Sequence, residues 1–284
     1  MRQRMIGDGS LRKSRYDPNL ADELRRDMAE EERLAKLRGK NNDAGVGEET
    51  LAGEEVIAPA NISPREYIHV PQFNTNIAMR LTHKGEDMFD TLEGLLKKRL
   101  KMPSPARFIR HWLNVKEAAS GGRGLVYADG SLVGDDVTKD LWNYMSSTDR
   151  SAWNGEIFWT WLDARFVKKK KKWYVETGLR VDKDGKGQRI LKGHREILNC
   201  PVRKDGYVGL EFNEQGFPLG GFSGGKYQQG KNIYFWHPRD NCVARLFANS
   251  GRALFGCDGG PSVACASLGV VAEGDAQNFL GGER

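Results

Sequence analysis

The sequence predicts an α+β domain preceded by a charged segment, and three observations carry that reading. The first sixty residues hold 11 basic and 13 acidic side chains, with Tyr16 as their only aromatic. Beyond them, apolar residues recur first at helical spacing and then, after Lys172, at a period of two. The second half is also broken by long glycine-rich loops, six glycines falling from Gly216 to Gly230. Helices first and short strands afterwards is an α+β order.

The charged segment cannot bury enough apolar area to offset its chain entropy. Asp17-Pro18 followed by Leu20, Leu24, Met28, Leu34 and Leu37 predicts a capped helix with a thin apolar stripe, suited to docking on a partner in a larger assembly. Asn41 to Asn61 reads as a linker. The division is therefore a helix and linker over 1–62 and an α+β domain over 63–284.

Within the domain, Tyr67–Val70 predicts a first strand. Met88, Phe89, Leu92, Leu95, Leu96 and Leu100 predict a helix over Glu86–Leu100. Ser104-Pro105 is an N-cap and first-turn pair for a second helix, which Gly121-Gly122 stops. Trp153, Ile157, Phe158, Trp161 and Leu162 suggest a third helix over Ser151–Val167. A hairpin follows, with Trp173–Val181 and Gln188–Leu198 around Asp184-Gly185. Asn232–His237 reads as a buried strand. Cys242–Ala248 and Arg252–Cys257 form a second hairpin about Asn249-Ser250-Gly251, and Ser267–Ala272 a last strand.

Composition excludes several classes. No apolar run is long enough to span a membrane and no apolar region follows the N-terminus as in a secretory signal, so a cytoplasmic or virion-associated location is expected. Four cysteines without a CxxC pair argue against a disulfide scaffold and a structural zinc site. Gly220–Lys226 fits GxxxxGK, but Tyr227 stands where a phosphate-binding loop needs Ser or Thr, so it reads as a loop. Asp182–Gly187 lacks the ligands of a calcium loop and reads as a turn. The net charge of +6 does not itself imply nucleic acid. Lys168–Lys172 reads as a solvated helix end, with no neighbouring basic stripe and stacking aromatics to suggest that partner. His237 reads as structural, with Asp240 capping a turn or pairing with Arg239. Cys200, Cys242, Cys257 and Cys265 read as buried small hydrophobes. No metal, cofactor or catalytic grouping is expected.

The most informative feature is an absence. From His237 to Ala272 there is no Lys, Gln, Glu, Trp or Met, where about seven or eight would follow from overall composition. Tyr234–Arg239, Val243-Ala-Arg245, Ala248–Ala253, Cys257–Pro261 and Ala266–Val270 resemble the C-terminal stretch of variable proteins diversified by retroelements. The resemblance covers roughly 103–272 and is strong from Ile233 onward. It implies a C-type-lectin-like fold of the formylglycine-generating-enzyme-like branch, with short twisted strands and long loops, and a variable region at about 237–272. In such systems an error-prone reverse transcriptase replaces adenines, commonly in AAY codons, which cannot become Lys, Gln, Glu, Trp or Met.

The resemblance implies a non-enzymatic protein that binds a protein or cell-surface ligand, as a homo-oligomer where one small patch binds weakly. Alternation along the hairpin predicts an invariant inner set of Ala244, Leu246, Ala248, Ala253, Phe255 and Cys257, joined by Pro261, Leu268 and Val270. The outward, ligand-binding set is then Phe247, Asn249, Gly251, Arg252, Leu254, Gly256, Asp258, Gly259, Gly260, Val263, Ala264 and Cys265. Arg245 shares that face, although it and Arg252 recur in the family frame. The small residues at 256, 259, 260 and 264 suggest a shallow depression. The reading requires Phe247, Leu254 and Val263 at an exposed rim. Two alternatives remain: an oxidase of the formylglycine-generating type using Cys257 and Cys265, whose spacing departs from the reactive pair of those enzymes, and a basic nucleic-acid-binding scaffold.

Overall fold

Two antiparallel-rich sheets and three helices make up the part of the chain that the computed structural model describes, residues 63–146, 156–221, 225–249, 251–265 and 268–275. The expected N-terminal helix and linker, and Trp153, lie outside these residues.

A 3₁₀ turn at Pro64–Glu66 leads into β1 (Tyr67–Val70) and β2 (Thr75–Ala78). These pair with β10 (Glu273–Asp275) in a three-stranded sheet of order β1-β2-β10. Helix α1 (Met88–Lys97) starts where the Asp87 carboxylate accepts from Asp90 N at 2.9 Å. Helix α2 (Pro105–Ala119) is capped by Ser104 Oγ and ends before Gly121, whose φ of +82° takes the left-handed conformation. Helix α3 (Asp135–Ser146) follows, opened by two aspartates that suit the positive end of the helix dipole.

The second sheet has seven strands: β3 (Phe158–Lys169), β4 (Lys172–Lys183), β5 (Arg189–Ile197), β6 (Gly206–Gly209), β7 (Asn232–Trp236), β8 (Val243–Asn249) and β9 (Arg252–Gly259). Their order is β5-β4-β3-β8-β9-β7-β6, and only β7 with β9 is parallel. Helix α2 touches β1 on one side and β3 on the other, so it lies between the sheets. On that inner face Phe108 stacks on Phe158 at 6.0 Å, and Phe217 stacks on Phe255 at 5.9 Å.

The α+β order holds, but α3, β2 and β6 were not expected, and three expected features take other forms. Residues from Phe158 onward form β3 instead of a third helix. β4 and β8 pair with its two edges, and consecutive residues on both of its faces are buried from Phe158 to Leu162, so no polar alternation marks it. The lysine run is consequently not a helix end: Lys170 and Lys171 are the turn of the β3–β4 hairpin, with Lys169 opposite Lys172. The described part of Ser267–Ala272 is not a strand. It makes only single bridges, Val270 with Thr82 and Gly269 with Thr160, before β10 begins.

His111 lies on α2, fully buried against Phe108. Neither of its ring nitrogens has a hydrogen-bond partner among the described residues. Burial pushes its pKa down from 6.5 to about 3. The unfolded chain therefore binds a proton that the fold refuses. The stability this neutral ring contributes is complete above pH 6.5 and is lost as pH falls from 6.5 toward 3, by about 1.4 kcal/mol per pH unit. His111→Phe should flatten the urea midpoint against pH across that window. A parent and variant with parallel profiles would contradict it.

Candidate ligand-recognition site

The β8–β9 hairpin forms as the sequence predicts, with Gly251 at φ +81° in its turn. Its setting is different. Flanked by β3 and β7, it occupies the middle of the sheet, and cross-strand register shows what each face carries. Trp159, Phe247, Leu254, Tyr234 and Tyr207 run side by side across one face, and Trp161, Arg245, Gly256 and Trp236 form the next row. Thr160, Leu246, Phe255 and Phe235 occupy the other face.

Both faces are interior. The inner set is buried as expected, apart from half-buried Pro261. The outward set fails at its centre: Phe247 is 2% exposed and Leu254 is 1% exposed, and Gly256, Gly259 and Cys265 are buried as well. Arg245 is buried with them. Phe247 packs against Trp159 at 5.2 Å and Trp236 at 6.1 Å, which makes it part of an aromatic layer and not of a rim. The exposed rim that the receptor reading required is thereby overturned: Phe247 and Leu254 are interior and only Val263 is half-buried, so a ligand site on the strand face is ruled out. Alternation assigns side chains to faces but does not say whether a face meets solvent.

What remains accessible splits into two places. Exposed Gly251 and half-buried Arg252 sit at the hairpin turn; Asn249 ends β8, and its side chain is outside what the structure describes. At the far end of β9, about 20 Å away by strand rise, half-buried Asp258, Gly260, Pro261, Val263 and Ala264 surround exposed Ser262. Ser262 was missed by sequence reasoning, and its only signal is its place after Gly260-Pro261.

The 258–264 loop is tied at its middle, and the chain is tied again a few residues beyond it. Pro261 O accepts from Met88 N at 3.0 Å, the first residue of α1, and Leu268 O accepts from Gly85 N at 3.0 Å. Beneath it, the Arg245 guanidinium lies over Trp159 at 5.4 Å and Phe247 at 5.8 Å, with Nη2 at 3.7 Å from Asp258 Oδ1. Burial raises the Asp258 pKa, and Arg245 opposes that rise. Gly256 and Gly259 do not form a depression. A Cβ at 256 would stand 3.5 Å from Arg245 Cγ, and one at 259 would stand 3.2 Å from its Nε, so these glycines make room for the arginine stem.

His237 joins the same end of the sheet, where Asp205, remote in sequence, partners it and also takes Arg239, which sequence proximity offers to Asp240. Nδ1 contacts Asp205 Oδ1 at 2.5 Å, while Arg239 Nη1 donates to Nε2 at 2.5 Å and Nη2 to Asp205 Oδ2 at 3.0 Å. An arginine can only donate, so Nε2 is the acceptor and Nδ1 carries the proton. Burial works to raise the Asp205 pKa, yet the His237 and Arg239 contacts outweigh it and hold the carboxyl low. Both imidazole nitrogens are thus occupied. Asp240 instead accepts from Lys168 N at 2.7 Å.

The thiols are poor nucleophiles. Burial pushes Cys200 up to about 11, raises Cys242, and raises Cys257 well above the ordinary thiol range. Cys265 is buried too. Among the described residues no group of three His, Cys, Asp or Glu side chains is placed to hold a metal ion, and no helix is long and apolar enough to cross a membrane. In the turn read against calcium, Asp184 Oδ1 accepts from Lys186 N and Gln188 N, and Asp182 pairs with Lys192.

Burial also bears on the missing residue types. Strands enclosed on both faces exclude Lys, Glu and Gln for reasons of solvation alone, so the absence of those three carries less weight than it has in the sequence. Trp and Met are ordinary core residues, and burial does not explain their absence. Compared with known proteins, the chain matches no family model, no curated protein and no solved structure.

Proposed function

We propose that this chain is a non-enzymatic recognition protein of the retroelement-diversified, C-type-lectin-like kind, and that its ligand site is the 258–264 loop. The carrying observation is the combination of that loop's fixed backbone with its small, accessible side chains. A hydrogen bond from Met88 holds it at Pro261, another from Gly85 holds Leu268 beyond it, and a hairpin buried on both faces supports it. Rigid support beneath variable tips lets side chains change without loss of the fold. The long connection between β6 and β7 and the resemblance from Ile233 onward support the lectin-like reading, although β3 and β4, at twelve residues each, are longer than the short strands that resemblance implies. The ligand is a protein or cell-surface group, read by Gly260, Ser262, Val263 and Ala264, with the largely enclosed Asp258 at the loop's base.

The test is tolerance. Gly260→Ser, Ser262→Tyr and Ala264→Ser, singly and together, should melt within about 4 °C of the parent, as surface changes near 1 kcal/mol do in a domain of this size. Leu254→Asn should lose about 3 kcal/mol or more, since it puts an amide into the aromatic layer. A library randomised at 260, 262, 263 and 264 should then yield binders to proteins the parent ignores. Loop substitutions that unfold the domain as Leu254→Asn does would overturn the proposal.

A further inference from the structure

The β3–β4 turn carries more than a solvated charge run. Lys168, Lys170, Lys171, Lys172 and Arg203 line one cleft of about 600 Å³ together with Trp173, Ile197 and Leu198. No carboxylate lines it, and among the described residues none of these five cations has an ion-pair partner within 4.0 Å. Trp173 is half-buried, with Lys168 Nζ 5.6 Å from its ring centre, and Ile197 beside it is 63% exposed. Trp173 follows the lysine run directly in sequence, and the hairpin turns back so that Lys168 stands opposite it.

We infer that this cleft binds single-stranded nucleic acid. Unpaired lysines are point charges suited to successive phosphates, and the Trp173 and Ile197 side chains offer a flat apolar wall for a base. A membrane surface is flat and would not enter a concavity of this kind. A run of acidic side chains matches the charge of a single strand but offers no base to stack on Trp173. Lys170 also adopts φ +56°, a conformation that hairpin turns ordinarily give to Asn or Gly, so a cation is held here against local backbone preference. The inference does not rest on the recognition loop.

The experiment is fluorescence anisotropy of the full chain with a labelled oligothymidylate of about twelve nucleotides, across a salt series. Binding should weaken with a log–log salt slope of about −2 to −3.5, as three to five phosphate contacts require. Lys170→Gln, Lys171→Gln and Lys172→Gln together should weaken it at least about tenfold and flatten the slope by about 2. Removing the same charge at exposed Lys97, Lys98 and Lys186 should leave the slope unchanged. Absence of binding, equal losses in the two triple variants, or tighter binding to polyglutamate or phosphatidylserine vesicles at the same salt would overturn the inference.

Discussion

Arg245→Ala is expected to cost about 3–5 kcal/mol of folding stability. The substitution removes the buried partner of the largely enclosed Asp258 carboxylate and takes away the stem and guanidinium that Trp159 and Phe247 pack against. Gly256 and Gly259 cannot close the space, having no side chains to move into it. Arg245→Met separates the two contributions. It refills the volume but leaves Asp258 unpaired, so its deficit should be smaller and should shrink in acid, where burial favours a protonated Asp258 that no longer needs a cation. Urea midpoints at neutral and acidic pH measure both effects. An Arg245→Ala protein as stable as the parent would mean that the arginine does not hold the loop base.

Gly216→Ala is the second large effect, about 2–4 kcal/mol. Gly216 has φ +83°, and a Cβ there would meet the carbonyl carbon of Pro105 and the amide nitrogen of Ala106 at 2.4 Å. The obstruction is backbone in the first turn of α2, which cannot swing aside as a side chain would. Relief requires the 212–218 loop to lift, and that withdraws Phe217 from its contacts with Phe255 and Phe166. Thermal melts should show the loss, and increased proteolysis near residue 216 should locate it. A variant that melts with the parent would contradict this packing.

How far the fold was legible depended on whether local chemistry or tertiary enclosure decided each element. Ser104-Pro105 and Gly121 mark α2 because capping and left-handed turns act within a few residues. The β4–β5 hairpin was readable because β5 is an edge strand with mostly exposed side chains, which leaves alternation in the sequence. Helix α3 carries Val137, Leu141, Tyr144 and Met145 at helical spacing behind Asp135-Asp136, a signal that was present and passed over. β3 was misread because enclosure on both faces removes the alternation, and the misassigned lysine turn followed from that error. At the site, the hairpin and its turn were readable while its exposure was not. Phe247 and Leu254 look like outward residues by parity, but only the sheet order reveals that their face is filled. The Asp205–His237–Arg239 group was out of reach, since 32 residues separate Asp205 from His237.

The most direct test of the central claim is to sequence the DNA around the coding region. A near-copy of the codons for about 237–272, beside a reverse-transcriptase gene, should differ from the gene almost only at adenines. Those differences should fall in codons for the accessible loop, at 258, 260 and 262–264, and spare Phe247, Leu254 and Gly256. A locus without such a copy, or one whose differences fall equally on the buried aromatic layer, would contradict it.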